Sequence, residues 1–308
     1  MPEYRAHLDF TVRFANGGEL SGTGFRLDLP SPDPDESRIG RLLVAHLGLA
    51  LVDEVELRGV RIVAEAHRGS RGVEPPARTT SPAARVVDLS HPIRAGQVTY
   101  PGLPAPTVTP HLTREASRST YAPGTEFAID VITMVGNTGT YLDSPFHRYP
   151  DGRDLAALDL ATLVGLRAEV FHLTDAWDGD RRGIRAETLA DRDVRGAAVL
   201  LHTGWDRHFG AAGYGVGAPF LTAEGAEHLV DAGAALVGID SVNIDDTTSD
   251  GRPAHSLLLG AGVHVVEHLT NLGALPPRGA RFTATPPAVE GFGTFPVRAF
   301  AELPAGTD

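Results

Sequence analysis

Residues 129–152 read IDVITMVGNTGTYLDSPFHRYPDG, and the rest of the chain is best understood outward from this stretch. Ile129 to Val135 is an apolar run of strand length. Gly136 and Gly139 then permit an irregular backbone. Asp143 and His147 lie four residues apart, but Pro145 between them argues against a regular helix. A tight turn would let the two side chains converge. Alternatively, this is an ordinary polar turn in which Asp143 caps backbone groups and His147 is solvated.

On either side, short apolar runs alternate with helical patterns. Strands are expected at Arg85–Leu89, Phe127–Val135, Ala168–Leu173, Ala197–His202, Ala235–Ile239, Val263–Glu267 and Ala280–Thr285. Helices are expected over 155–164, 185–191 and 222–232, the last with Thr222 as N-cap and Gly233 as its stop. This order predicts an α/β (α+β) domain over residues 85–308. Residues 1–67 predict a separate small β-β-α-β unit. Leu8, Phe10, Val12 and Phe14 alternate, Asn16-Gly17-Gly18 turns, and Phe25, Leu27 and Leu29 alternate again. Ile39, Leu42, Leu43, His46 and Leu47 share a helical face, and Val55 to Ala64 is a third strand with Gly59 as a bulge. Residues 68–84 lack periodicity, hold three prolines and read as a linker.

Composition narrows the chemistry. There is no cysteine, and all 27 basic residues are arginine. Thiolate nucleophiles, cysteine-ligated zinc and lysine Schiff bases are therefore excluded. The net charge of -12 disfavours a nucleic-acid partner. No apolar run reaches the length of a membrane span, and the N-terminus lacks a signal-peptide order, so a soluble cytoplasmic protein is expected. Gly-x-Ser-x-Gly is absent, and no G-x-G-x-x-G follows a strand.

Two further segments carry chemistry. His255 precedes the apolar run Leu257–Leu259, and Val263–Val266 delivers Glu267 at a strand end. There a carboxylate is costly unless it is paired or ligated. A salt bridge for Glu267 and a loop position for His255 are the plainer alternatives. Asp240 ends another apolar strand, and the Asp240–Asp246 cluster lacks EF-hand spacing, which favours loop capping over calcium. Among the scattered histidines, His202 is the best supporting candidate. Arg148, Trp177, Trp205 and Phe220 are candidate pocket-lining residues.

In this order, the segments resemble the cyclase superfamily, which includes bacterial kynurenine formamidases and isatin hydrolases. The resemblance spans roughly residues 85–290. It rests on Val87-Asp-Leu-Ser-His-Pro-Ile93, Gly139-Thr-x-x-Asp-x-Pro-x-His147, His202-Thr-Gly-Trp205, Gly238-Ile-Asp240, and His255 with Glu267 ahead of Leu269 and Asn271-Leu272. It implies a swivelling β/β/α fold, a homo-oligomer, a small-molecule substrate, and a divalent zinc or manganese ion that activates water. By position, Asp143, His255 and Glu267 match metal ligands, and His147 matches the histidine that moves protons. Two histidine ligands of the family motif are Asn137 and Tyr141 here, which are poor ligands for zinc.

Three functions follow as expectations. The first is metal-assisted hydrolysis of an N-acyl amide, lactam or lactone, with Tyr141 and Asn137 donating to the oxyanion. The second is metal-independent acid–base ring closure or dehydration in secondary metabolism, using His147 and Asp143. The third is a silent binding protein with the N-terminal unit as its interaction module.

Overall fold

A computed structural model describes residues 3–65, 85–175 and 182–304. The chain divides into two compact units, Met1–Thr79 and Thr80–Asp308. In the first, β1 (Glu3–Phe14), β2 (Glu19–Leu29) and β3 (Val52–Glu65) form an antiparallel sheet in the order β2-β1-β3. Helix α1 (Glu36–His46) begins at Asp35, whose side chain accepts from Arg38 N. The alternating residues Leu8, Phe10 and Val12 of β1 bury against Ile39 and Leu43 of α1. Between β1 and β3 the pairing steps from His7↔Arg61 to Asp9↔Arg58, so β3 carries one extra residue there. The extra residue falls at Gly59 and Val60, where Gly59 has φ +62°. This is the expected bulge.

The second unit opens with β4 (Arg85–Asp88) and a ribbon of β5 (Thr107–Leu112) and β6 (Ile129–Thr133), with the single turn α2 (Arg114–Ser117) between them. Next come β7 (Tyr141–Asp143), β8 (Leu166–His172), β9 (Gly183–Ile184), α3 (Ala186–Leu189) and β10 (Ala198–His202). The chain continues with β11 (Phe220–Leu221), α4 (Ala223–Asp231), β12 (Leu236–Ile239), α5 (Pro253–Gly260) and β13 (His264–Glu267). It closes with β14 (Arg278–Thr283), β15 (Thr294–Pro296) and β16 (Phe300–Leu303).

Nine of these strands form one mixed sheet, ordered β15-β7-β13-β12-β10-β8-β14-β16-β4. Its centre, β8, β10, β12 and β13, is parallel, and the flanking strands are antiparallel. The parallel strands are apolar on both faces because both faces are covered. Ala198 and Leu200 point into one core with Leu142, Val266 and Phe282. Val199 and Leu201 point into the other with Leu229 and Leu258 from the helices. Their C-terminal ends present His172, His202, Asp240 and Glu267 along one edge.

One expectation, the helix over 155–164, is corrected, and one plainer alternative, a loop position for His255, is set aside. Residues 155–164 do not form a helix but two 3₁₀ turns, 155–157 and 160–162. Asp154 and Asp159 each cap their own turn, accepting from Ala157 N and Ala161 N, and this local bonding competes with a continuous helix. His255 is not in a loop; it sits in the first turn of α5 and is buried. Thr222 does cap α4, accepting from Gly225 N, and Gly233 adopts φ +79° after it. No helix of the described residues is long and apolar enough to cross a membrane.

Candidate active site

Asp143 ends β7 and lies directly across from Val265 of β13, while Tyr141 lies across from Glu267. This antiparallel register brings the 136–152 segment against the 254–272 segment. It also buries Asp143 and Glu267 completely. His147 follows on a 3₁₀ turn begun by Pro145, and it is partly exposed.

His255 faces both carboxylates. Its Nε2 is 3.5 Å from Asp143 Oδ2 and 3.6 Å from Glu267 Oε1. Its other ring nitrogen, Nδ1, is 2.7 Å from Asp245 Oδ2. Asp245 also accepts from the backbone N–H groups of Ala254 and His255, so one carboxylate caps α5 and orients the imidazole. Since Asp245 takes the Nδ1 hydrogen, the Nε2 edge is left facing Asp143 and Glu267. An imidazole lone pair against two carboxylates is repulsive, so this edge calls for a proton or a cation. Without a cation, burial lowers the basicity of His255. The hydrogen bonds of Asp143 and Asp245 and the charge of Glu267 outweigh burial and raise its pKa to about 10.

Glu267 is held by two donors. Tyr141 Oη donates to Oε2 at 2.6 Å and Ile244 N donates to Oε1 at 2.6 Å. No arginine within ion-pair distance serves it among the described residues. Burial is the largest influence on Glu267 and lifts its pKa to about 7, against the lowering effect of His255. Asp143 differs. Burial would raise it, but His255, His147 and Thr294 together hold it below the ordinary carboxylate range. Thr294 Oγ1 lies 2.5 Å from Asp143 Oδ1 and 2.7 Å from His147 Nδ1.

Tyr141 is committed elsewhere than expected. Its hydroxyl hydrogen goes to Glu267, and its oxygen faces His268 Nε2 at 3.3 Å and the Asn137 side chain. His268 is fixed in turn by the Tyr214 hydroxyl at 2.7 Å. In this arrangement the phenol's one hydrogen is engaged by Glu267, while Tyr141 itself lines the cavity. Asn137 lines the cavity and retains amide hydrogens beyond its tie to Tyr141.

The cavity in front of these groups has a volume of about 600 Å³ and is lined by Tyr100, Asn137, His147, Arg148, His255 and Glu267, among others. A second cavity of about 660 Å³ lies in the N-terminal unit, lined by Val44, Val52, Val55 and Leu57 together with Glu36 and Arg41, among others. Among the described residues, the one cluster of metal-capable side chains is Asp143, His147 and His255, with ligand atoms within 4.8 Å of one another. The set expected to hold a metal was Asp143, His255 and Glu267. Both sets share Asp143 and His255. Asp143 Oδ2 is buried and makes no well-formed hydrogen bond, meeting His255 Nε2 only at 3.5 Å, which suits a carboxylate oxygen with room for a cation. The donor set, one imidazole with hard carboxylate oxygens and a second imidazole adjacent, fits zinc or manganese.

Other candidates fall outside the site. Asp240 caps a loop, accepting from Thr203 N, Thr203 Oγ1 and Gly204 N, as its capping pattern predicted. His202 pairs with His172, Nδ1 to Nδ1 at 2.8 Å. Of the expected pocket residues, Arg148 lines the cavity, Trp205 is buried beside Tyr214, and Phe220 stacks near Arg182. Trp177 lies outside the described residues. Asp245, His268 and Thr294 were not singled out from sequence. Only Asp245 carried a local signal, as part of the Asp240–Asp246 cluster.

Comparison with known proteins agrees with this architecture. A model of the putative cyclase family matches residues 87–246. The kynurenine formamidase of Geobacillus thermodenitrificans is 33% identical over 171 residues, covering 54% of this chain and 77% of that protein. The kynurenine formamidase of Paracidovorax citrulli is 27% identical over 230 residues, covering 71% and 96%. Among solved structures, an isatin hydrolase bound to the product analogue thioisatinate superposes with TM-score 0.63 at 23% identity, covering 72% of this chain and 93% of that one. A structure described as a potential metal-dependent hydrolase with cyclase activity superposes with TM-score 0.58 at 26% identity, covering 71% and 98%. With its mixed sheet and its matched core, the chain belongs to the cyclase family.

Proposed function

We propose that this protein hydrolyses a small N-acyl amide, in the manner of a formamidase, with a divalent cation held by Asp143 and His255 and by either Glu267 or His147. The observation that carries this reading is the His255 Nε2 edge turned toward two buried carboxylates, 3.5 Å from Asp143 Oδ2 and 3.6 Å from Glu267 Oε1, with no well-formed hydrogen bond to Asp143 Oδ2. The names of the relatives, kynurenine formamidase and metal-dependent hydrolase, support the same chemistry. Bound there, zinc or manganese would polarise the amide carbonyl and acidify a bound water.

The chain's own groups do the remainder. His147 stands at the cavity wall and takes the water proton, then returns it to the leaving nitrogen. Asn137 donates an N–H to the oxyanion. Tyr141 and Ile244 N hold Glu267 in one orientation. The test is elemental analysis of protein purified without chelator, together with turnover of N-formyl aryl amides before and after chelation. Near-stoichiometric zinc or manganese and chelator-sensitive turnover support the reading. Absence of both, after incubation with either metal, overturns it.

One observation favours a second reading. His255 Nε2 lies 3.5 Å from Asp143 Oδ2 and 3.6 Å from Glu267 Oε1, so a proton there would bridge the two carboxylates without a cation, which suits acid–base ring closure or dehydration through His147. Chelator-insensitive turnover that is lost in His147→Ala would select it. We also propose a homo-oligomer, supported by the exposed Val108, Ile129, Val131 and Ile132 on the β5–β6 ribbon. Light scattering of the purified protein tests this, and a monomer would exclude it.

A further inference from the structure

We propose that Thr294 is a positioning residue whose hydroxyl, held by Asp143, fixes His147 as the Nδ1–H tautomer and turns the Nε2 lone pair toward the cavity. The inference rests on the role proposed above for His147 as the group that moves protons.

Thr294 has a single hydroxyl hydrogen and two neighbours, Asp143 Oδ1 at 2.5 Å and His147 Nδ1 at 2.7 Å. An ionised carboxylate oxygen accepts only. If the hydrogen pointed to His147, two oxygens would face each other at 2.5 Å with lone pairs alone between them. The hydrogen therefore lies between Thr294 and Asp143, and Thr294 must accept from His147. That requires hydrogen on Nδ1. The neutral ring then has its lone pair on Nε2, where a general base or a metal ligand needs it.

The contact is built into the backbone. Thr294 of β15 pairs directly with Asp143 of β7. The preceding residue, Gly293, accepts from Ser144 N at 2.8 Å and Ser144 Oγ at 3.0 Å. A Cβ at Gly293 would stand 2.5 Å from His147 N and 2.6 Å from its Cα. Glycine at 293 is thus what lets β15 approach the turn closely enough for Thr294 to reach the ring. Asp143 consequently serves both imidazoles, His147 through Thr294 with Oδ1 and His255 with Oδ2.

The experiment is a two-bond proton–nitrogen NMR correlation on histidine-labelled protein at mildly alkaline pH. It is run on the parent, Thr294→Val and Thr294→Ser, with His147 assigned by the signals missing from His147→Gln. The parent and Thr294→Ser are expected to show the Nδ1–H pattern, and Thr294→Val to show substantial Nε2–H. In the same series kcat should fall about 10- to 100-fold in Thr294→Val, with KM little changed, and recover in Thr294→Ser. An Nε2–H pattern in the parent overturns the proposal, and so does an unchanged Nδ1–H pattern in Thr294→Val. The parent spectrum decides by itself should the valine variant not fold. Because the NMR result does not depend on turnover, absence of amide hydrolysis would defeat the proposed function and leave the tautomer assignment standing or falling on its own.

Discussion

Tyr141 donates its hydroxyl hydrogen to Glu267 Oε2 at 2.6 Å, across directly paired positions of β7 and β13. A neutral donor thus stands against Glu267 where the resemblance calls for a histidine ligand. The bond is fully buried, and burial is the main reason the Tyr141 pKa stands well above that of a free phenol. Tyr141→Phe leaves Glu267 with an unsatisfied oxygen in the core. It should cost about 1.5–3 kcal/mol, the worth of a hydrogen bond to a charged group. Urea unfolding measures this, and an unchanged midpoint would show that the hydroxyl contributes nothing there.

Asp245 acts on His255 from behind. It takes the Nδ1 hydrogen and two N–H groups of the first turn of α5. Asp245→Asn keeps the shape but replaces an acceptor with an amide that can present a donor to Nδ1. Zinc affinity should drop about 10- to 100-fold, as for other partners of metal-bound histidines. Calorimetric titration with zinc checks this, and parent-like affinity would remove Asp245 from the site.

Gly293→Ala tests the close approach behind Thr294. The added Cβ would meet backbone atoms of His147, which cannot rotate away. Destabilisation of about 1–3 kcal/mol is expected from such overpacking. Turnover should be lost as well, because the Thr294–His147 contact opens. A variant with parent-like stability and activity would show that this turn is loose.

Acid should destabilise the fold in a defined window. Burial depresses His268 to about 3 and His264 and His91 to about 4, against 6.5 in the unfolded chain. Below pH 6.5 the unfolded chain binds protons that the folded chain refuses. The stability is therefore complete above that value and is lost as pH falls through about 4 toward 3. Each group contributes up to ~1.4 kcal/mol per pH unit, and His91 less because it is partly exposed. Glu267 opposes the trend, since its folded value of about 7 exceeds its ordinary 4.5 and stability returns as it takes its proton. Asp240 opposes it likewise, because burial lifts its folded value to about 7 against an ordinary 3.8, and two groups against three still leave a net loss. Urea midpoints at pH values above and below this window check the sign, and a midpoint that rises on acidification would contradict it.

The amino-acid sequence by itself determined the α/β class, the strands β8, β10, β12 and β13, and the segments that carry Asp143, His147, His255 and Glu267. These were legible because parallel strands buried on both faces appear as unbroken apolar runs, and because ionisable residues at the ends of such runs are rarely incidental. The small N-terminal unit was legible for the same reason, through its period of two. What the tertiary structure decided was pairing. β7 and β15 are three residues each and have no periodicity to detect, yet their register sets Tyr141 against Glu267 and Thr294 against Asp143. The direction of a hydrogen depends on which acceptor stands across a strand or behind a ring. That is a long-range fact: Thr294 is 151 residues from Asp143, and no local pattern encodes the 2.5 Å between them.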